Sequence, residues 1–231
     1  MKKVPVIIPA RAGSKGIPNK NIIEICGKPL LAWSIIQALT SECVSNVYVS
    51  TDGSQIGKVT EAYGGRVIER PDCLSGDTAT SESALLHAIS VIEEYEDFDD
   101  VFFLQATSPL RKKHDIDAAY KQYKEGKYDS LFSMAVMDDF TLWQQDKKGE
   151  IASLSYDYTN RGRRQDREPV YLENGSIYIF KKELLKSSNN RLGGKIGMYK
   201  MPFIHSFEID SDVEIEICEY FLNKIIMEDG I

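Results

Sequence analysis

Directly after the apolar run Val4–Ile8 the sequence reads Pro9-Ala10-Arg11-Ala12-Gly13-Ser14-Lys15-Gly16-Ile17-Pro18-Asn19-Lys20-Asn21. Arg11, Lys15 and Lys20 supply three cations within ten residues. Gly13 and Gly16 carry no side chain to keep backbone amides away from an anion. That combination suits a triphosphate, whose charge must be neutralised and whose transfer depends mainly on such clamps. The loop matches neither GxxxxGK[ST] nor GxGxxG. A solvated basic turn is the alternative reading of its composition. Its place after the first strand, where open α/β sheets bind ligands, favours the phosphate.

Other groups could complete such a site. Asp210 and Asp212 stand two apart before the last helical pattern. In extended backbone both carboxylates would face one hard cation; equally, Asp212 could cap the helix and Asp210 be a surface acid. Gln105 ends an apolar run, where an uncharged amide can bond a polar sugar or simply be satisfied at a strand edge. Arg161-Gly162-Arg163-Arg164-Gln165-Asp166-Arg167 is a basic cluster in an acidic chain, either a solvated loop or a carboxylate-binding fork. Asp77-Thr78-Ala79-Thr80-Ser81 leads into a helix and can present hydroxyls and amides, with Ser81 as an ordinary cap the plainer reading. His87, His114 and His205 have no metal-ligand spacing.

These residues need elements to position them. Runs rich in β-formers occur at Val4–Ile8, Asn46–Thr51, Arg66–Glu69, Val101–Ala106, Ser130–Met137, Gly175–Phe180 and Ile196–Met201. Helical patterns lie between them. Pro29–Leu39 is apolar nearly all round, with proline in the first turn; Asp52 could cap a helix ending at Gly64-Gly65. Ser81–Tyr95, His114–Glu125 and Val213–Ile226 follow. Such alternation predicts an α/β fold with a mostly parallel sheet flanked by helices. The rhythm breaks over residues 138–168, a polar stretch inside an otherwise single domain of residues 1–231. It carries Phe140, Leu142, Trp143, Ile151, Leu154, Tyr156 and Tyr158. That many large side chains points to a small inserted subdomain that builds a homodimer rather than a free loop.

The 231 residues are ordinary globular material, 42% hydrophobic and 27% charged. With 28 Lys and Arg against 35 Asp and Glu the net charge is −7, which argues against nucleic-acid or anionic-membrane partners. The four cysteines form no CxxC pair. The longest uncharged stretch, Pro29 to Ser41, is too short to span a bilayer, and two prolines spoil the N-terminus as a signal peptide. The expectation is a reduced, cytoplasmic protein.

Four blocks together carry a family resemblance. Ile8-Pro9-Ala10-Arg11-Ala12-Gly13-Ser14-Lys15-Gly16, continued by Lys20-Asn21 and Gly27-Lys28-Pro29-Leu30, resembles the signature of acylneuraminate cytidylyltransferases. Leu104-Gln105-Ala106-Thr107-Ser108-Pro109-Leu110-Arg111, Asn174-Gly175-Ser176-Ile177-Tyr178 and Ile209-Asp210-Ser211-Asp212 follow in family order. The resemblance covers nearly the whole chain. It implies a Rossmann-like nucleotidyltransferase fold and transfer of CMP from CTP to the C2 hydroxyl of a nonulosonic, sialic-acid-like sugar, releasing pyrophosphate. It further implies a nucleotide site of Arg11, Ala12, Gly13, Ser14, Lys15, Lys20, Asn21, Arg70, Thr80 and Ser81. Gln105, Arg164 and Asn174 would hold the sugar. Asp210 and Asp212 would bind Mg²⁺, with Mn²⁺ able to substitute. Arg11, Lys20 and Asp212 would be catalytic, Asp212 or a metal-bound hydroxide taking the hydroxyl proton. Dimers built through the middle segment are implied as well. Synthetases of the eight-carbon acid Kdo share the fold but lack the Gly-Ser-Lys-Gly pattern, and a non-catalytic nucleotide-binding module is the other alternative.

Overall fold

The computed structural model describes residues 2–13, 16–76, 79–137 and 140–229, and the backbone but not the side chain of Arg164. The elements in order are β1 (Val4–Pro9), β2 (Glu24–Ile25), β3 (Lys28–Pro29), α1 (Leu30–Leu39), β4 (Val44–Thr51), α2 (Ser54–Ala62) and β5 (Arg66–Glu69). Then come α3 (Ser81–Ile92), β6 (Asp100–Leu104), α4 (Asp115–Glu125), β7 (Ser130–Val136), β8 (Trp143–Gln145) and β9 (Ile151–Ser153). The chain continues through β10 (Tyr171–Lys181), α5 (Lys182–Ser188), β11 (Ile196–Lys200) and α6 (Asp212–Asp229).

Seven strands form one sheet in the order β11-β7-β10-β6-β1-β4-β5. Only β10 runs against its neighbours; the pairs β1–β4, β1–β6, β4–β5 and β7–β11 are parallel. Period-two alternation fills both faces. Val6, Ile8, Phe102, Leu104, Ile177 and Ile179 meet residues of α1 and α4 on one side, among them Leu31, Ile35, Ile116 and Ala119. Ile7, Val101, Phe103, Tyr178 and Phe180 meet Leu85, Ile89, Ile92 and Leu185 of α3 and α5 on the other. Each large side chain so buried contributes about 1.5–3 kcal/mol. The fold is α/β and Rossmann-like, a mostly parallel sheet between two helical layers, as the alternation predicts.

A third apolar cluster brings the two ends of the sequence together. Ile17, Ile25, Leu30 and Trp33 pack with Ile209, Cys218, Leu222 and Ile225, so α6 lies against the segment that follows β1. The Trp33 indole donates to the Ile25 carbonyl at 2.8 Å, which fixes the β2–β3 turn to α1.

Several local expectations change. Pro29 is the N-cap of α1 and closes β3, not a first-turn residue. Gly53, not Asp52, caps α2, and the Asp52 carboxylate instead accepts from the Ala12 amide at 2.8 Å. Thr80 rather than Ser81 caps α3, its hydroxyl accepting from Ser83 N at 3.2 Å. Residues 140–170 carry the short hairpin β8–β9 and the one-turn helix Arg164–Asp166, and leave Phe140, Trp143, Ile151, Leu154 and Tyr158 about half exposed or more. Asp138 and Asp139 lie outside the described residues.

Candidate active site

Parallel strands aim their carboxyl ends at one edge of the sheet, and the ligand-binding loops collect there. β1 delivers Arg11, β4 delivers Asp52 and β5 delivers Arg70. The Ala10 amide donates to the Ser50 carbonyl at 2.9 Å, continuing the β1–β4 ladder into the loop. Asn21 is buried and its amide donates to the Arg11 carbonyl at 2.9 Å, tying the far end of the loop back to its start. Arg70 is buried, with Nε on the Ser50 hydroxyl at 3.0 Å and Nη2 on the Ser50 carbonyl. Burial lowers its pKa first, and Arg11 adds to that while Asp52 opposes it. The two guanidiniums therefore share one electrostatic neighbourhood. The Arg11 guanidinium also donates to the Gly76 carbonyl at 3.5 Å. A cavity of about 650 Å³ opens between the ends of β4 and β5, with Asp52, Gly53, Lys58, Glu69 and Arg70 in its wall.

A second part of the candidate site, outside that cavity, is acidic and amide-rich. The Ile209 amide donates to the Thr107 carbonyl at 2.9 Å, and Ile209 is fully buried. Its neighbours are the half-buried Glu208 and the exposed Asp210, close enough for the Asp210 charge to act on Glu208. The extended-backbone pairing thus falls on Glu208 and Asp210, because α6 has begun by Asp212. Capping is done by others: Glu214 accepts from the amides of Asp210 and Ser211 at 2.8 and 2.7 Å, a capping box that leaves Asp212 exposed in the first turn. Lys20 Nζ donates to Asp210 Oδ1 at 2.6 Å, joining the β1 loop to this part. Gly16 is required at the same junction, since a Cβ there would meet the Asp210 carbonyl at 2.7 Å.

Gln105 and Glu208 make the third part. In the orientation that satisfies both partners, the Gln105 amide donates to Glu208 Oε2 at 2.7 Å and Oε1 at 3.2 Å. The Thr107 hydroxyl adds a bond at 3.3 Å. Burial, then the charge of Asp210, raises the Glu208 pKa to about 7. Gly175, at φ +66°, lets β10 approach, for a Cβ would strike the Glu208 carboxylate and lie 2.7 Å from the Gln105 side chain.

The residues named from sequence thus fall into distinct situations. Arg11, Ala12, Lys20, Asn21, Arg70, Gln105 and Asp210 lie at one edge of the sheet. Asn174 is buried in the β10 bulge, where its Oδ1 accepts from the Ser133 hydroxyl at 2.5 Å and from Ser176 N at 3.3 Å. Arg164 sits in a one-turn helix whose neighbour Arg163 is paired with Asp166 at 2.7 Å. Arg161 and Arg167 lie over the Tyr156 ring at 5.7 and 4.5 Å. Ser14 and Lys15 lie outside the described residues. Glu208 was not foreseen: a glutamate before Ile209 has no motif of its own, and its contacts to Gln105 and Gly175 come from distant parts of the chain.

The oxygen donors can be judged against a hard divalent ion. Among the described residues no three His, Cys, Asp or Glu side chains form a metal cage. Mg²⁺ often needs only one or two carboxylates, its other ligands being waters and substrate phosphates. Asp210, beside the phosphate-side lysine and with Glu208 or Asp212 as second donor, fits that pattern.

The model of the family described as cytidylyltransferase matches residues 5–228. The chain belongs to the cytidylyltransferase family. This cytidylyltransferase-family chain is 35% identical over 221 residues to N-acylneuraminate cytidylyltransferase A of Danio rerio, across 94% of this chain and 50% of that protein. It is 32% identical over 230 residues to post-translational flagellin modification protein B of Campylobacter coli, across 97% of each. It therefore spans about half the length of the first relative and nearly all of the second. Its fold is similar to that of CMP:2-keto-3-deoxy-manno-octonic acid synthetase complexed with CTP, with TM-score 0.72 at 16% identity over 96% of this chain and 99% of that one. No helix among the described residues is long and apolar enough to cross a membrane.

Proposed function

We propose that this chain transfers CMP from CTP to the C2 hydroxyl of a nonulosonic acid and releases pyrophosphate. The observation that carries the reading is the 2.6 Å meeting of Lys20 with Asp210, on the loop that Asn21 ties back to Arg11, whose guanidinium acts on that of Arg70. It supplies phosphate-binding cations and a metal-binding carboxylate in one place, in a chain of a cytidylyltransferase family. Arg11 and Lys20 neutralise the α-phosphate and the leaving group, and Lys15 follows on the outer phosphates. Asn21, Arg70 and the start of α3 at Thr80 and Ser81 hold the nucleoside. Gln105, with Arg164, orients the sugar, and Asn174 acts on it indirectly by holding the β10 bulge.

The C2 oxygen forms a bond to the α-phosphorus as the bond to pyrophosphate breaks. The sequence leaves Asp212 or a metal-bound hydroxide as acceptor of the hydroxyl proton. The pKa of about 7 favours Glu208 as a second acceptor, since proton transfer works best near the working pH. Mg²⁺, or Mn²⁺ in its place, on Asp210 would offset phosphate charge. The deciding experiment supplies CTP and Mg²⁺ with sialic, legionaminic or pseudaminic acid, and with Kdo as control. Pyrophosphate release with a nine-carbon acid is expected; release with Kdo alone overturns the reading.

The proposal includes a cytoplasmic homodimer. Phe140, Trp143, Ile151, Leu154 and Tyr158 are exposed around the β8–β9 hairpin, and Trp143 packs on Tyr156 and Tyr158 at 5.9 and 5.4 Å. Aromatic and arginine side chains of this kind are favoured in interface cores. Light scattering should give twice the chain mass, and Trp143→Glu should halve it. An unchanged dimer places the interface elsewhere.

A further inference from the structure

Arg111 is fully buried, yet its hydrogen bonds among the described residues all end on neutral oxygens. Nη1 donates to the Ser34 hydroxyl at 3.0 Å and to Gln37 Oε1 at 2.8 Å, both on α1. Nη2 donates to the Gln105 carbonyl at 2.7 Å, and Nε to the Ser176 carbonyl at 3.0 Å. Gln37 in turn donates to the carbonyls of Pro109 and Arg111 at 2.7 and 3.1 Å. Burial pushes the Arg111 pKa down to about 9, so it still carries its charge at neutral pH.

A buried cation with no hydrogen-bonded carboxylate, and only the more distant charges of Asp115 and Glu208 to offset it, is an expensive way to hold a fold together; a well-packed apolar side chain often does as well or better. What the guanidinium offers instead is a planar fork that fixes several acceptors at once. Two of those acceptors flank the site. The Gln105 carbonyl belongs to the residue whose amide bonds Glu208. The Ser176 carbonyl follows Gly175, the glycine pressed against both. The loop that Arg111 closes, residues 105–111, also supplies the Thr107 carbonyl that receives Ile209, between Glu208 and Asp210.

Resting on the function proposed above, we propose that Arg111 is the positioning residue of the sugar half of the site. Its fork sets the spacing of β6 and β10 at Gln105 and Gly175. Lys20, Asn21 and Arg70 receive no bond from it, and its link to Asp210 runs only through Thr107 and Ile209, so its direct hold is on the sugar half. A displacement of about 1 Å in such a site can cost roughly 10²-fold.

The test is steady-state kinetics of Arg111→Lys and Arg111→Met with CTP, Mg²⁺ and whichever of sialic, legionaminic and pseudaminic acid the wild type uses. Both variants should lose roughly 10²-fold in kcat/KM for the sugar acid, with its KM raised, while the KM for CTP stays within about twofold. Arg111→Met leaves four buried acceptors without their donor, so it should also melt lower than wild type. Rescue by lysine would overturn the proposal in favour of charge alone. Equal loss toward both substrates, or a fall in kcat with both KM values unchanged, would reduce Arg111 to a folding residue. If neither variant folds, Ser34→Ala decides: a raised sugar-acid KM at constant CTP KM supports positioning, and unchanged values overturn it. A wild type that turns over none of the three acids overturns the proposed function and this inference with it.

Discussion

On the nucleotide side of β1, the site closes with a charge pair that reaches solvent: the Lys20 side chain is 16% exposed and that of Asp210 is 68% exposed. Across the sheet, around the ends of β6 and β10, it closes with hydrogen bonds among Ser133, Asn174, Ser176 and Arg111, all almost fully buried and none of them an ion pair. Charges that must accept a triphosphate have to exchange partners, which a half-exposed ion pair does at little cost because it is worth only about 0–1 kcal/mol. A surface that must recognise one polyhydroxylated acid has to keep its shape. The first half is made for exchange and the second for rigidity.

Substitutions can break that contrast. Asp210→Asn keeps the shape and removes a hard ligand; kcat should fall by about 10²-fold or more at saturating Mg²⁺, as for a group acting on transition-state charge. Near-wild-type turnover would remove Asp210 from the chemistry. Lys20→Ala should lower kcat by about 10²-fold and raise the CTP KM much less, since phosphate charge develops mainly in the transition state. An effect confined to KM would make Lys20 a ground-state binder.

Gly175→Ala probes the rigid half. Its Cβ has no room between Gln105 and Glu208, and its φ of +66° disfavours any side chain. The sugar-acid KM should rise about tenfold or more with little change for CTP, on the scale of a site displaced by part of an ångström. Equal effects on both substrates would mean the halves are mechanically one.

Glu208→Gln sharpens the comparison through pH. In the native protein the carboxyl pKa is raised to about 7, so between the ordinary glutamate range and pH 7 the folded state binds more protons than the unfolded one. Stability must therefore fall as pH rises through that window. In EDTA, melting temperatures at pH 5 and pH 8 should differ less for the variant than for wild type. The gain at pH 8 should be about 2–4 °C for each kcal/mol relieved. Identical pH dependence would show that Glu208 titrates normally.

The two halves also differ in how far the sequence reveals them. The cationic loop is contiguous, so Arg11 and Lys20 announce themselves, and the strand alternation places them at the carboxyl edge of the sheet. Glu208, Gly175 and Gln105 meet only through the order β10-β6, which no local pattern encodes. For Asp212 the spacing left a metal pair with Asp210 and a helix cap both open; the Ser211–Glu214 capping box takes over the capping and puts Asp212, exposed, in the first turn of the helix. Asn174 had the right motif, but its side chain is engaged by the bulge, and only the paired register of β7 and β10 reveals that. Within the middle segment, the exposed aromatic side chains were legible by count, while the β8–β9 hairpin was not.

The contact of Gly16 with the carbonyl of Asp210 has a kinetic meaning. Two ends of one site are separated by most of the chain, and the strand that completes the sheet beside β6 is also made late. A nascent polypeptide can pair β1 with β4 soon after both emerge, but its lysine loop has no wall to close against until residue 210 leaves the ribosome. Loop-closure entropy makes such distant pairings slow to form. During synthesis the phosphate-binding loop therefore exists long before the wall that Asp210 supplies and the helix α6 that packs behind it.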